Sequence, residues 1–443
     1  MAEKVTKLAL ASRIIVLILQ LLANKLLPDH QTDVFRAPFN PANKVTWLDK
    51  TINFCLNGFR HWDAEYFLHI AEHGYTYENT LAFYPLYPMV VKSGAHLLHT
   101  MLADFMNMRS CCLLVGVVLN VALFCKAANI LYALTQRIFN DLNKSWNVAL
   151  LFCFNPASIF FTAAYSETLF CLLSLYVMLE CSTQIRAVRS TFALALNIAA
   201  RSNGLVNMGF PFYFIVRKFI LKRSSLLSSL LKMALCLLFS LIPLTFFNFY
   251  AFQLFCVSDK ATNHTEAILN YGRQKNYVLS GYRYAEQSPW CDERFPFPYS
   301  YIQSHYWKVG FLRYYELKQI PNFMLALPIL IFLFWHCVKY LRDFQKNLLP
   351  KYPLLHLLKE YKTLPFILHA LALTVFCIFF VHIQISTRLL CSATPCVYWF
   401  ASDHMPKSLD KLQLRSKAGL IFLWFASYVL VGTTMFSNNL PWT

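Results

Sequence analysis

Apolar residues fall along this chain in long blocks, not in the short alternations of a soluble core. The blocks at 8–27, 111–134, 226–256, 321–341, 364–382 and 418–437 approach or exceed the roughly 20 residues a helix needs to cross a bilayer. Two further stretches, 147–182 and 190–216, are too long for one crossing and carry polar interruptions, so each predicts a pair of shorter crossings. Only residues 28–110 and 257–320 are polar over any length, and they predict two large loops outside the membrane. No small-residue cleavage pattern closes the first block, which reads as an uncleaved first span. The pattern predicts an all-α polytopic membrane protein, one transmembrane domain over 1–443.

Composition fits: 57% of residues are hydrophobic and only 14% are charged. The net charge of +18 would suit a nucleic-acid partner if it formed a basic face, but Lys and Arg cluster beside the apolar blocks, where they set topology instead. With Arg137 and Lys144, Arg186 and Arg189, and Arg217 to Arg223 all cytoplasmic, each long stretch must enter and return, turning near Tyr165–Glu167 and near Arg201–Gly204. The scheme gives about eleven crossings, a cytoplasmic N-terminus and both large loops on the opposite side. Asn263-His264-Thr265 in the second loop then reads as a glycosylation site, whereas Asn143-Lys144-Ser145 faces the cytoplasm. Most of the 14 cysteines lie inside apolar blocks, but Cys55 and Cys291 lie in the two loops and are candidates for a disulfide.

Arg60 to Pro88 reads RHWDAEYFLHIAEHGYTYENTLAFYPLYP. Trp62, Tyr66, Ile70 and His73 recur at helical spacing, which predicts a short amphipathic helix on the membrane surface, ended by Gly74. Asp63 and Glu65 fall in its first turn, where a carboxylate is favoured as a plain cap. The same carboxylates, beside His61, His69 and His73 and among stacking aromatics, also suit a sugar with apolar faces and hydroxyl edges. Glu167, Arg201, His382 and Arg388 interrupt apolar blocks, and a charge at mid-bilayer costs at least about 2.5–3.5 kcal/mol on insertion scales. The topology moves them to helix ends facing the acidic loop. There either Glu167 pairs with Arg201 as a structural bridge while Arg388 snorkels to headgroups, or Arg201 and Arg388 receive the phosphate of a lipid-borne substrate, which suits arginine's planar fork. The aromatic stretch Trp290–Phe323 is either a lid over the first loop or interface packing. No nucleotide-binding, serine-esterase or zinc motif occurs, and no D-x-D pair predicts a metal.

Several long runs resemble one known family. They are HWDAEYFLHIAEHGY from His61, NPASIFFTAAYSE from Asn155, ARSNGLVN from Ala200, YSYIQSHYWKVGFLRYYELKQIPNF from Tyr299 and TRLLCSATPCVYWF from Thr387. Together they resemble the PIG-V mannosyltransferases, which add the second mannose of glycosylphosphatidylinositol (GPI) anchors. The resemblance implies a GT-C fold in the endoplasmic reticulum membrane, with a lumenal active site. It also implies α-1,6 transfer of mannose from dolichyl-phosphate mannose to a mono-mannosylated GPI precursor. The family's Trp-Asp pair corresponds to Trp62 and Asp63. On this reading Asp63 is the general base of an inverting displacement, with Glu65 and His61 in reserve, and His61, Glu167, Arg201, His382 and Arg388 bind substrate. No cofactor or metal is expected, and the partners are the two lipid substrates and the membrane. Another dolichyl-phosphate-sugar transferase, or a transporter of lipid-linked sugars, remains the alternative.

Overall fold

The computed structural model describes residues 1–39, 44–183, 187–257, 264–281, 288–347, 362–406 and 413–442; the predicted glycosylation site Asn263 lies outside them. Among the described residues there is no strand, only one isolated bridge between Tyr77 and Leu279. Five segments among the described residues are long and apolar enough to cross a membrane alone: α1 (Ala2–Leu26), α5 (Met108–Phe139), the segment beginning with α10 (Leu226–Phe252), the segment around α13 (Ile320–Asn347), and α17 (Lys417–Ser437). Leu227, Leu230, Leu231, Leu238 and Phe246 of α10 face outward, as lipid-facing side chains must.

Each of the two stretches predicted to turn back on itself folds as two helices with a break between them. The first is α6 (Leu142–Cys153) and α7 (Glu167–Thr183), the second α8 (Ala187–Ala200) and α9 (Gly209–Ile220). Helix α6 has 12 residues and spans only about 18 Å, well short of a hydrocarbon core of about 30 Å. The segment 154–166, which holds only a short 3-10 helix (Ser158–Phe161), therefore lies within the protein, where bulk water does not satisfy its backbone. Two polar side chains from neighbouring spans take over that task. Arg13 of α1, fully buried, donates to the Cys153 and Ser158 carbonyls and to the Ser158 and Thr162 hydroxyls at 2.6–3.0 Å, with Phe124 beneath its guanidinium. Asn120 of α5 donates to the carbonyls of Ala163 and Tyr165. A later break is similar: α14 (Leu364–Phe379) rises to a turn, and α15 (Ser386–Ala393) and α16 (Cys396–Ser402) descend from it.

The first loop carries α2 (Trp47–Leu56), α3 (Asp63–His73) and α4 (Leu86–Leu102). Helix α3 ends at Gly74, whose φ of +79° favours glycine, as the sequence predicts. It does not lie on a surface, however. Most of it is buried, with Tyr66 stacked between Phe35 and Phe83. Its cover comes from the segment after α1 and from the second loop, which a period within 11 residues cannot report. The second loop holds α11 (Glu266–Lys275) and α12 (Pro298–Trp307). It docks on the first loop through Glu78, whose carboxylate accepts from Ser288, from Trp290 Nε1 at 2.7 Å and from the Tyr306 hydroxyl at 2.9 Å. The expected Cys55–Cys291 bridge is corrected: Cys291 is bonded to Cys256, at the end of the α10 segment, and Cys55 is free. Chain continuity puts Cys256 beside the second loop, whereas α2 holds Cys55 near α1, where its carbonyl accepts from Gln20.

Candidate active site

Asp63 opens α3 directly after a strained residue. Trp62 has φ +59° and ψ −127°, a conformation that a residue with a Cβ adopts only when its surroundings impose it. One source of the constraint is Tyr165, from the irregular segment before α7. The Asp63 amide donates to its hydroxyl at 3.0 Å, and that hydroxyl donates weakly to the His61 carbonyl at 3.4 Å. A second is the glycine turn just upstream. A Cβ on Gly58 would lie 2.5 Å from Gln20 Oε1 and 2.7 Å from the Ser437 Cβ, so the turn is pressed between α1 and α17.

So positioned, the Asp63 carboxylate meets Arg388 of α15, with Nη2 to Oδ2 at 2.6 Å. Arg388 Nη1 lies 3.5 Å from Glu167 at the start of α7, and Arg201, at the end of α8, reaches the same Glu167 oxygen at 2.5 Å. Asp63, Arg388, Glu167 and Arg201 thus form one chain of alternating charge, assembled from four separate elements. Burial is graded along it: Glu167 is fully buried, the Arg388 side chain is 11% exposed and that of Asp63 is 29% exposed. Neither Glu167 oxygen receives a bond of hydrogen-bond geometry, so its contacts are ionic. The Phe160 and Tyr165 rings flank the Arg388 guanidinium at 5.3 Å. The structural bridge considered from the sequence, Glu167 with Arg201, is present, and Arg388 is drawn into it.

The remaining sequence candidates fall elsewhere. Glu65 points away from the chain of charges, bound by Arg60 at 2.8 Å, the Ala37 amide at 3.1 Å and Arg109 at 3.5 Å. Burial alone would push its carboxyl up, but Arg60 and Arg109 outweigh that and hold it below the ordinary range. His61 is nearly buried, 3.7 Å from Asp29. Its burial lowers its pKa, against the pull of Asp29 and Glu65, so the ring is neutral near neutral pH. His73 goes further, to about 4, through burial and the nearby Arg109. His382 packs at a tilt against Tyr314 of the second loop, with ring centres 4.5 Å apart.

Sequence reasoning missed Tyr165, Arg13, Asn120 and Glu78. Arg13 carried a usable signal, as a lone arginine inside an apolar block. Tyr165 carried none, since a tyrosine at a helix end is ordinary.

The mannosyltransferase (PIG-V) family model matches residues 2–443. The chain is 52% identical to the GPI mannosyltransferase 2 of Drosophila melanogaster, over the full length of both. It is 34% identical to the GPI alpha-1,6-mannosyltransferase 2 of Homo sapiens, covering all of this chain and 98% of the human one. The GPI mannosyltransferase 2 of Schizosaccharomyces pombe (strain 972 / ATCC 24843) is 26% identical over 86% of this chain and 72% of its own length.

Proposed function

Since this chain belongs to the PIG-V mannosyltransferase family and is a multi-pass GPI mannosyltransferase, we propose that it adds the second mannose of the GPI precursor, in α-1,6 linkage. The donor is dolichyl-phosphate mannose and the active site faces the lumen of the endoplasmic reticulum. The observation that carries the reading is the Asp63–Arg388 pair, continued through Glu167 to Arg201.

Two needs of this transfer meet there. The acceptor 6-hydroxyl must lose a proton as its oxygen attacks the anomeric carbon, and the phosphate oxygen must leave with the bonding pair. Asp63 is the exposed carboxylate of the chain and takes the proton, a role that typically contributes ~10²–10⁴-fold. Arg388 and Arg201 meet the leaving phosphate, whose charge grows as the bond breaks, so their help is greater in the transition state. A guanidinium carries five N–H donors, so Arg388 can keep Asp63 and Glu167 while it receives phosphate oxygens. A β-linked donor and an α-linked product fit one inverting displacement. No acid is required for a phosphate leaving group, and the two arginines supply the positive charge that a metal would otherwise bring.

The test is reconstitution. Purified protein with dolichyl-phosphate mannose and mono-mannosylated GPI precursor is expected to yield a dimannosylated lipid with a new α-1,6 bond. Asp63→Asn is expected to remain folded and to lose at least about 100-fold in kcat. Transfer at the wild-type rate by this variant would remove Asp63 from the base role, and a product of another linkage would overturn the assignment.

A further inference from the structure

Beside the Asp63 turn lies a cleft of about 270 Å³ that Arg388 does not line and that the reaction as described does not use. Four parts of the chain form it: the segment after α1 with Asp29 and Arg36, the turn with Asn57, Arg60, His61 and Trp62, the first turn of α5 with Arg109, and Asn439 beyond α17. We propose that this cleft holds the glycan head of the lipid acceptor, the polyhydroxylated ring that bears the reacting hydroxyl or the ring next to it. The inference rests on the transfer reaction proposed above and adds where its second substrate binds.

Position is the first argument. Asp29 lies three residues past the end of α1 and Asn439 two past the end of α17, so the floor of the cleft is level with the membrane surface. Arg109 lies in the first turn of α5, a 32-residue helix of about 48 Å that exceeds a hydrocarbon core of about 30 Å. The cleft therefore runs from the headgroup layer outward, the course a glycan takes when its lipid tail stays in the bilayer. Its inner wall is Trp62, one residue from the proposed base.

Chemistry is the second argument. The lining mixes polar and apolar groups: guanidinium and amide donors stand beside carboxylates, as neighbouring hydroxyls require, and Val34, Phe35 and Trp62 add the apolar surface that a sugar ring's faces need. Both the Trp62 Nε1 and the His61 Nε2 are buried without a hydrogen-bond partner in the protein. The Trp62 indole N–H is an unmet donor, and a ligand hydroxyl that pairs with it once a small shift of the ring admits it offsets that cost. Arg60 and Arg109 already pair with Glu65, whereas the backbone amide of exposed Arg36 donates to the Tyr271 hydroxyl and its guanidinium bonds nothing among the described residues, which leaves it for a ligand. The two substrates then bind separate groups around the Asp63 turn, the phosphate at Arg388 and the acceptor glycan in the cleft.

Binding without turnover separates this inference from the reaction on which it rests. Mono-mannosylated GPI precursor is titrated into detergent-solubilised protein with no donor present, for wild type, Arg36→Ala, Asn57→Ala and the double variant. The single variants are expected to weaken binding roughly tenfold and the double variant further. In transfer assays the acceptor KM rises in parallel while the donor KM holds, which also reports that the variants fold. Equal acceptor affinity in all four proteins would overturn the cleft assignment and leave the reaction intact, as would a raised donor KM with an unchanged acceptor KM. Wild-type protein that transfers mannose to a different acceptor, and does not bind this one, would sink the underlying reading instead.

Discussion

Tyr165 governs the Asp63 turn through a single hydroxyl group. That oxygen accepts from the Asp63 amide and donates to the His61 carbonyl across the strained Trp62, while its ring flanks Arg388. Removing only the oxygen separates positioning from packing, because phenylalanine keeps the ring. A neutral hydrogen bond contributes about 0.5–1.5 kcal/mol to stability, yet a misplacement of 1 Å at a reacting group can cost about 100-fold in rate. Tyr165→Phe is therefore expected to lower kcat by about tenfold or more with both KM values within about twofold, and to change thermal stability little. Steady-state kinetics with each substrate varied in turn checks this; unchanged kcat with a raised KM would remove Tyr165 from the positioning role.

At the scale of elements, the decisive feature is the break between α6 and α7. Two short helices leave a stretch of irregular backbone inside the protein, and that stretch carries Phe160, Tyr165, Ser166 and, at its end, Glu167. It keeps its shape because Arg13 and Asn120 satisfy backbone groups that lipid cannot. Arg13 touches none of the charged residues around Asp63, but its loss strands the Cys153 and Ser158 carbonyls, at about 1–3 kcal/mol each. Arg13→Met is expected to lower thermal stability in detergent and, in the fraction that folds, to cut mannose transfer severely. Lysine is expected to rescue little, since one ammonium cannot span four acceptors on this segment. Full activity and stability in Arg13→Met would show that α1 does not support the segment.

Over the whole molecule, the two loops behave as one body on the membrane domain. Glu78 is buried between them and Cys256–Cys291 ties the second loop back to the α10 segment, so this loop is a fixed roof over α3. Glu78→Gln removes the charge and replaces one acceptor with a donor that faces other donors. Hydrogen exchange is expected to quicken over residues 288–307 and stay unchanged in α5 and α17; unchanged exchange over 288–307 would mean that Glu78 does not hold the loops together. The sequence by itself determined the helical membrane architecture, because a bilayer forces a span to be apolar and long, and it placed the breaks between α6 and α7 and between α8 and α9. It also singled out Glu167, Arg201 and Arg388, since charges in apolar blocks stand out locally, while Trp62 and Asp63 were picked out of the acidic loop only by the resemblance to the family. Only the tertiary structure decided which of these meet. Glu65 and Asp63 are two residues apart yet belong to different ion-pair networks, whereas Asp63 and Arg388 touch across most of the chain. The Cys256–Cys291 bond, the roof over α3 and the support from Arg13 were settled there too, for the same physical reason. A pattern along the chain reports what each residue's surroundings must be made of, and packing alone fixes which residues supply them.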